Sequence, residues 1–216
     1  MLPAVTQPGL SSLVITYRSD KEAPQSPDGF YRYGESEWRD LEAAAQYAAN
    51  HGAKRLVLVG YSMGGGIVLS FMQQSALAER VEALVLDSPM LDFSATVDHG
   101  TSRVPGVLNK FGKKVSGLRF QIHWGRLNYL ERAGDLRVPV LLFHGDDDNR
   151  VPVETSDKLA QARPDIVTYI PVRREPAMCD HGTWTRPHMR NKYETSSPAL
   201  RRRRPERPTL GLRFGV

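Results

Sequence analysis

The segment Arg55-Leu-Val-Leu-Val-Gly60 runs straight into Tyr61-Ser62-Met63-Gly64 and then into an apolar stretch from Gly65 to about Ser75. This feature most narrows what the chain can fold into. Four consecutive apolar residues read as a strand buried on both faces, which belongs to a parallel sheet. The stretch that follows is small and apolar, as befits a helix packed on that sheet. A strand passing into a helix through one sharp turn is half of a βαβ unit. The glycines flanking Ser62 allow close approach of neighbouring backbone, and both Gly60 and Gly64 are expected to serve that purpose.

Other segments repeat the alternation. Val81-Glu-Ala-Leu-Val-Leu-Asp87, Pro139-Val-Leu-Leu-Phe-His144 and Ile166 to Ile170 read as further strands, and Ser156 to Ala162 as a helix. Leu13-Val-Ile-Thr-Tyr17 also reads as a buried strand, because it is β-branched and aromatic. A polar, proline-rich loop from Arg18 to about Gly34 leads to a helix. Trp38, Leu41, Ala45 and Ala48 fall on one face of that helix, Ser36 is the candidate cap, and Gly52 ends it. The fold class is therefore α/β, a parallel sheet flanked by helices. Asp92 to Asp135 interrupts the alternation, as a cap or crossover over the site or as a long surface connection.

Gly60-Tyr61-Ser62-Met63-Gly64 is a G-x-S-x-G pattern in a strand–turn–helix context. In that context the serine is a nucleophile, and the N–H of the next residue, Met63, helps hold an oxyanion. A serine hydroxyl needs a base, and the base needs an orienting acid, following in the order Ser, Asp or Glu, His. Asp146, Asp147 and Asp148 follow a predicted strand and are candidates for the acid. Asp87, at the end of another strand, is a rival.

With these residues the chain resembles the α/β-hydrolase superfamily, in the branch of serine esterases, lipases and serine aminopeptidase-like proteins. That family's H-G-x-x-D-x-x-V-P pattern matches His144-Gly145, Asp148 and Val151-Pro152, from which the resemblance selects Asp148 as the acid. It implies a fold core from about Leu13 to Val172 and hydrolysis of an ester or related acyl substrate, a small molecule, by a Ser-Asp-His mechanism. His144 precedes the acid and is expected to make a structural hydrogen bond. Only His181 and His188 follow it, and His181 is the candidate base.

After Val172 the family pattern is lost. The last 44 residues carry 11 Lys/Arg against 4 Asp/Glu, leaving 18 against 20 for the rest. Displacing the codon boundaries between Glu175 and Arg190 allows a reading that contains Gly-His-Val and Trp-Asn-Val-Asp-Pro, close to the family's catalytic-histidine motif. The single-codon residues Met178 and Trp184 force the Val and the Asp of that reading. The expectation is a frameshift near Val172, followed by a basic, disordered tail over residues 173–216. The family's early strand with its His-Gly oxyanion loop is not recognisable before Leu13, so a truncated start and a weakened or inactive enzyme are also expected. The alternative is a degenerate, non-catalytic hydrolase that binds anionic partners through its basic tail. The tail has no DNA-binding motif, so no specific nucleic acid is expected.

Composition fits this reading. With 216 residues, 40% of them hydrophobic, the chain can build one core. Its single cysteine, Cys179, makes no internal disulfide, and the start Met1-Leu-Pro-Ala is not that of a signal peptide. No apolar run is long enough to span a bilayer. The expectation is a cytoplasmic protein that needs no cofactor and no metal, since no His/Cys/Asp/Glu spacing is ligand-like.

Overall fold

The computed structural model describes residues 11–20 and 23–173, which all lie in the first compact unit of the chain, Met1–Glu175. Four parallel strands pair in sequence order: β1 (Leu56–Tyr61), β2 (Val81–Asp87), β3 (Val140–Gly145) and β4 (Val167–Val172). The ladders bring Tyr61 beside Asp87, Asp87 beside Phe143, and Phe143 beside Ile170. The C-terminal ends of the strands therefore form one edge, where open α/β sheets bind ligands.

Helix α1 (Trp38–Asn50) packs on α2 (Met63–Gln74), and α2 packs on β1. Between β2 and β3 lie α3 (Phe93–Gly100), α4 (Gly106–Phe120) and two short 3₁₀ turns, Trp124–Leu127 and Leu130–Asp135. Helix α5 (Val153–Ala162) returns the chain to β4 and packs on β3 and β4. The core holds Leu58, Leu84, Leu86, Val140 and Leu142 from one face of the sheet, with Leu69 and Phe71 of α2. On the other face Val57, Val59 and Tyr61 of β1 are exposed.

Two local expectations are corrected. Leu13 to Tyr17 forms no strand: Leu13 and Val14 are exposed, and only Tyr17 reaches the core. The run has β-forming residues but no ladder partner among the described residues, and strand propensity describes fit to a pleated surface rather than an independent backbone preference. What fixes this segment is Arg18, whose backbone N–H, Nε and Nη2 all donate to the Asp40 carboxylate in the first turn of α1, at 2.8–2.9 Å. Second, Ser36 does not cap α1; its hydroxyl is buried without a hydrogen-bond partner among the described residues. Glu37 stands at the cap position, but its carboxylate serves the preceding loop. It accepts the N–H groups of Arg32 (2.6 Å), Gly34 (2.9 Å) and Ser36 (3.3 Å) and is fully buried.

The segment 92–135 is mainly helical. Aromatic stacking ties it to the loop before α1, with Tyr33 on Phe93 at 3.9 Å and Phe93 on Trp124 at 5.2 Å between centroids. Arg32 adds to this, donating to the carbonyls of Phe120 and Gln121 at the end of α4.

Candidate active site

Ser62 is the single residue between β1 and α2, with φ +50° and ψ −117°. A non-glycine residue pays about 1–3 kcal/mol for such a conformation. Three backbone hydrogen bonds hold it there. Its N–H donates to the Asp87 carbonyl, and its own carbonyl accepts from Gly65 and from Met90, each at 3.0 Å. The bend is thus tied to the tip of β2 on both sides of the peptide, while the Ser62 side chain is only partly buried.

The glycines divide this work differently from the expectation. A Cβ on Gly60 would lie 2.7 Å from the Gly64 carbonyl oxygen and 2.8 Å from Gly65 Cα. A Cβ on Gly65 would lie 2.5 Å from Pro89 Cβ, whereas one on Gly64 would meet nothing within 4 Å. Close approach therefore requires Gly60 and Gly65, and Gly64 is free of it. The motif's second glycine was the legible one, but the contact falls one residue later, where α2 crosses Pro89.

Met63 opens α2, so its N–H is among those that a helix leaves without an intrahelical acceptor, at the positive end of the helix. An anion placed over this end beside Ser62 would meet it.

Asp148 lies three residues beyond β3. Its Oδ1 accepts the N–H groups of Arg150 (2.8 Å) and Val151 (3.0 Å), closing a tight side-chain turn. Partial burial pushes its carboxyl up, but these two N–H groups, with His144 and the Ser88 hydroxyl nearby, outweigh that, and the carboxyl is held below its usual range. Fully buried His144 braces the turn. Its Nδ1 bonds Ser156 Oγ at 2.7 Å and its Nε2 the Val151 carbonyl at 3.2 Å, with Asp148 Oδ2 3.6 Å from Nε2. A carbonyl only accepts, so Nε2 carries a proton. His144 is a brace, as its place before the acid leads one to expect.

Ser88 was not singled out by sequence reasoning. It follows Asp87 with φ +46°, is buried, donates its N–H to Phe143 O at 2.9 Å, and lies 3.4 Å through Oγ from Asp87 Oδ1. Its signal was the strand-end run Leu86-Asp-Ser-Pro89, which reads as an ordinary turn. Asp87 itself differs from Asp148: burial pushes its carboxyl above the usual range, helped by the nearby negative charge of Asp148.

The structure thus puts Ser62 and Asp148 at the same edge of the sheet, on strands separated by β2. Two strand spacings make ~10 Å between the strand axes. Of the described histidines, only His144 lies within ion-pair distance of Asp148; His123 pairs with Glu35. His181 and His188 lie outside the described residues, as do Cys179 and the proposed frameshift. Among the described residues, no three His, Cys, Asp or Glu side chains are placed to hold a metal, and no helix is long and apolar enough to cross a membrane.

Comparison with known proteins agrees with this geometry. Residues 27–163 match the model of the prolyl oligopeptidase family. The uncharacterized protein YfhR of Escherichia coli O157:H7 is 29% identical over 106 residues, which make up 49% of this chain and 32% of YfhR. The chain therefore spans about a third of that relative's length. Among solved structures, a puromycin hydrolase aligns with 66% of this chain and 22% of its own, at a TM-score of 0.51 and 23% identity. An esterase of Pyrococcus furiosus aligns with 73% of this chain and 57% of its own, at 0.52 and 20%. At such identities the structural likeness speaks for the fold, which is that of the α/β-hydrolases. The family match takes in the bend at Ser62, the turn at Asp148 and all the chain between them, and on that ground this chain belongs to the prolyl oligopeptidase family, among the serine hydrolases of the α/β-hydrolase superfamily.

Proposed function

We propose that Ser62 is the nucleophile of a Ser-Asp-His hydrolase acting on an ester, amide or related small acyl substrate. The observation that carries this reading is the backbone of Ser62, a non-glycine residue in a left-handed bend with its side chain at the strand-tip edge. Strain of this kind clusters at functional sites, and here it falls on the serine of a G-x-S-x-G turn between a strand and a helix.

In this reading Ser62 Oγ attacks the substrate carbonyl carbon and its proton passes to the base. The carbonyl oxygen becomes an oxyanion facing the Met63 N–H. The C–O or C–N bond breaks, the leaving group takes the proton from the base, and water then releases the acyl group from Ser62 by the same steps. Asp148 orients the base and stabilises its charged form. Its lowered proton affinity keeps it ionised for that role, whereas the raised affinity of Asp87 argues against the rival acid. His181 is the sequence candidate for the base. Two of the structural relatives are a puromycin hydrolase and an esterase, which supports a hydrolytic reaction without selecting its substrate.

The test is labelling of the folded chain by a fluorophosphonate probe. Labelling that disappears in Ser62→Ala and falls steeply in Asp148→Asn supports the assignment. A further loss in His181→Gln identifies the base. A folded chain that takes no label removes the catalytic reading and leaves the non-catalytic, anion-binding one.

A further inference from the structure

Helix α4 is amphipathic in the reverse of the usual sense. The side turned to the body is polar and small. Lys113 Nζ donates to Ser94 Oγ at 2.8 Å and pairs with Asp98, Asn109 donates to Asp98 at 2.6 Å, and Gly117 lies close against Trp124. The side turned to solvent is apolar: Val107, Leu108, Phe111, Val115 and Leu118 are all exposed, Val107 at 80%, Phe111 at 65% and Leu118 at 77%. At 3.6 residues per turn these five fall within an arc of about 100°.

Charge around this stripe has one sign. Every charged residue between Asp98 and Glu131 is Lys or Arg. Helical spacing puts Lys114 along one border of the stripe and Arg119 along the other, with Lys110 a turn before Lys114; all three are exposed. Among the described residues, the only cation of α4 in an ion pair is Lys113, on the inner side.

We infer that α4 is a docking element for an anionic lipid surface, lying in the interface with its apolar stripe among the acyl chains and its lysines and arginine at the headgroups. Apolar residues on one side with cations at the borders are what such a surface selects. At 15 residues α4 is about 22 Å long, so it lies along a bilayer and does not cross it. The stripe is a convex ridge, which suits a yielding surface. A second copy meeting it stripe to stripe would set Lys114 and Arg119 against their own counterparts, which like-charge repulsion opposes. The helix is firmly mounted for this role, with Arg32 on the carbonyls of Phe120 and Gln121 and Phe120 edge-on to Phe30 at 5.0 Å. The inference does not depend on Ser62 being active.

The experiment is flotation of the full chain with vesicles of phosphatidylcholine alone, and of equal parts phosphatidylcholine and phosphatidylserine. Binding is expected to the mixed vesicles, weakening as salt is raised. The pair Phe111→Asp and Leu118→Asp, both at exposed positions, should weaken it more than roughly tenfold without lowering the unfolding temperature. The triple change Lys110→Glu, Lys114→Glu, Arg119→Glu should abolish the preference for phosphatidylserine. Three results would overturn the inference: no binding by the wild type; equal binding by the aspartate pair, which would move the attraction to the basic segment 173–216; or self-association that the aspartate pair abolishes, which would give the stripe to a second copy.

Discussion

Asp87 and Asp148 stand at the ends of adjacent parallel strands and hold their protons in opposite ways. Burial raises the affinity of Asp87, and the charge of Asp148 raises it further. Burial acts on Asp148 too, but the N–H groups of Val151 and Arg150 overcome it. Folding therefore weakens the hold of Asp148 on its proton. Its contribution to stability is complete above the ordinary carboxylate range and is lost as pH falls through the lowered value. Folding strengthens the hold of Asp87, so its contribution is complete below the ordinary value and is lost as pH rises through the raised one. Asp148→Asn should destabilise the protein at neutral pH and do so less at pH about 3, while Asp87→Asn should stabilise it at neutral pH. Denaturant titrations at the two pH values give both signs.

The three glycines around Ser62 should separate cleanly. Gly60→Ala and Gly65→Ala force a methyl against backbone or against Pro89 and should each cost about 2–3 kcal/mol. Gly64→Ala meets open space at the start of α2 and should raise stability by about 0.5 kcal/mol through the unfolded chain's lost freedom. Equilibrium unfolding of the three variants checks the order.

Ser62→Gly should be more stable than the wild type, by about 1 kcal/mol, because glycine relieves the left-handed strain and returns part of the gain as chain entropy. Ser62→Ala keeps the strain and should not gain. A shared midpoint for the two variants in urea would mean that the bend is unstrained.

Glu37 should be the most sensitive residue of the loop before α1. Glu37→Gln places an amide NH₂ against at least one of three N–H donors, buried or half-buried, and should cost about 1–3 kcal/mol. Glu37→Leu leaves all three without an acceptor and should cost more, with hydrogen exchange quickening at Arg32, Gly34 and Ser36.

The sheet was largely legible in the sequence, because strands of a parallel sheet are short, mainly apolar runs and the chain spells four of them, although one face of β1 is exposed. Val81–Asp87 has the bounds the sequence implies, and the other three strands are displaced by a residue or two. The bend at Ser62 was legible from the local G-x-S-x-G pattern between a strand and a helix, although the hydrogen bonds to Asp87 and Met90 that hold it were not. Leu13 to Tyr17 was misread because its composition carries no information about a ladder partner. Ser88 and the Gly65–Pro89 contact were missed because they arise where two distant segments meet. Helix α4 was hidden by its own reversal: a pattern search places apolar residues inside, and here they face out.

The bracing of the acid turn has a consequence for how such a protein can change over generations. His144, Val151 and Ser156 close around Asp148 within thirteen residues of chain, so this half of the proposed catalytic apparatus is self-contained. A segment bearing the base can be exchanged, lost or supplied by another polypeptide without dismantling the carboxylate it must meet. The acid turn is in that sense a socket, inherited as a module and indifferent to the plug.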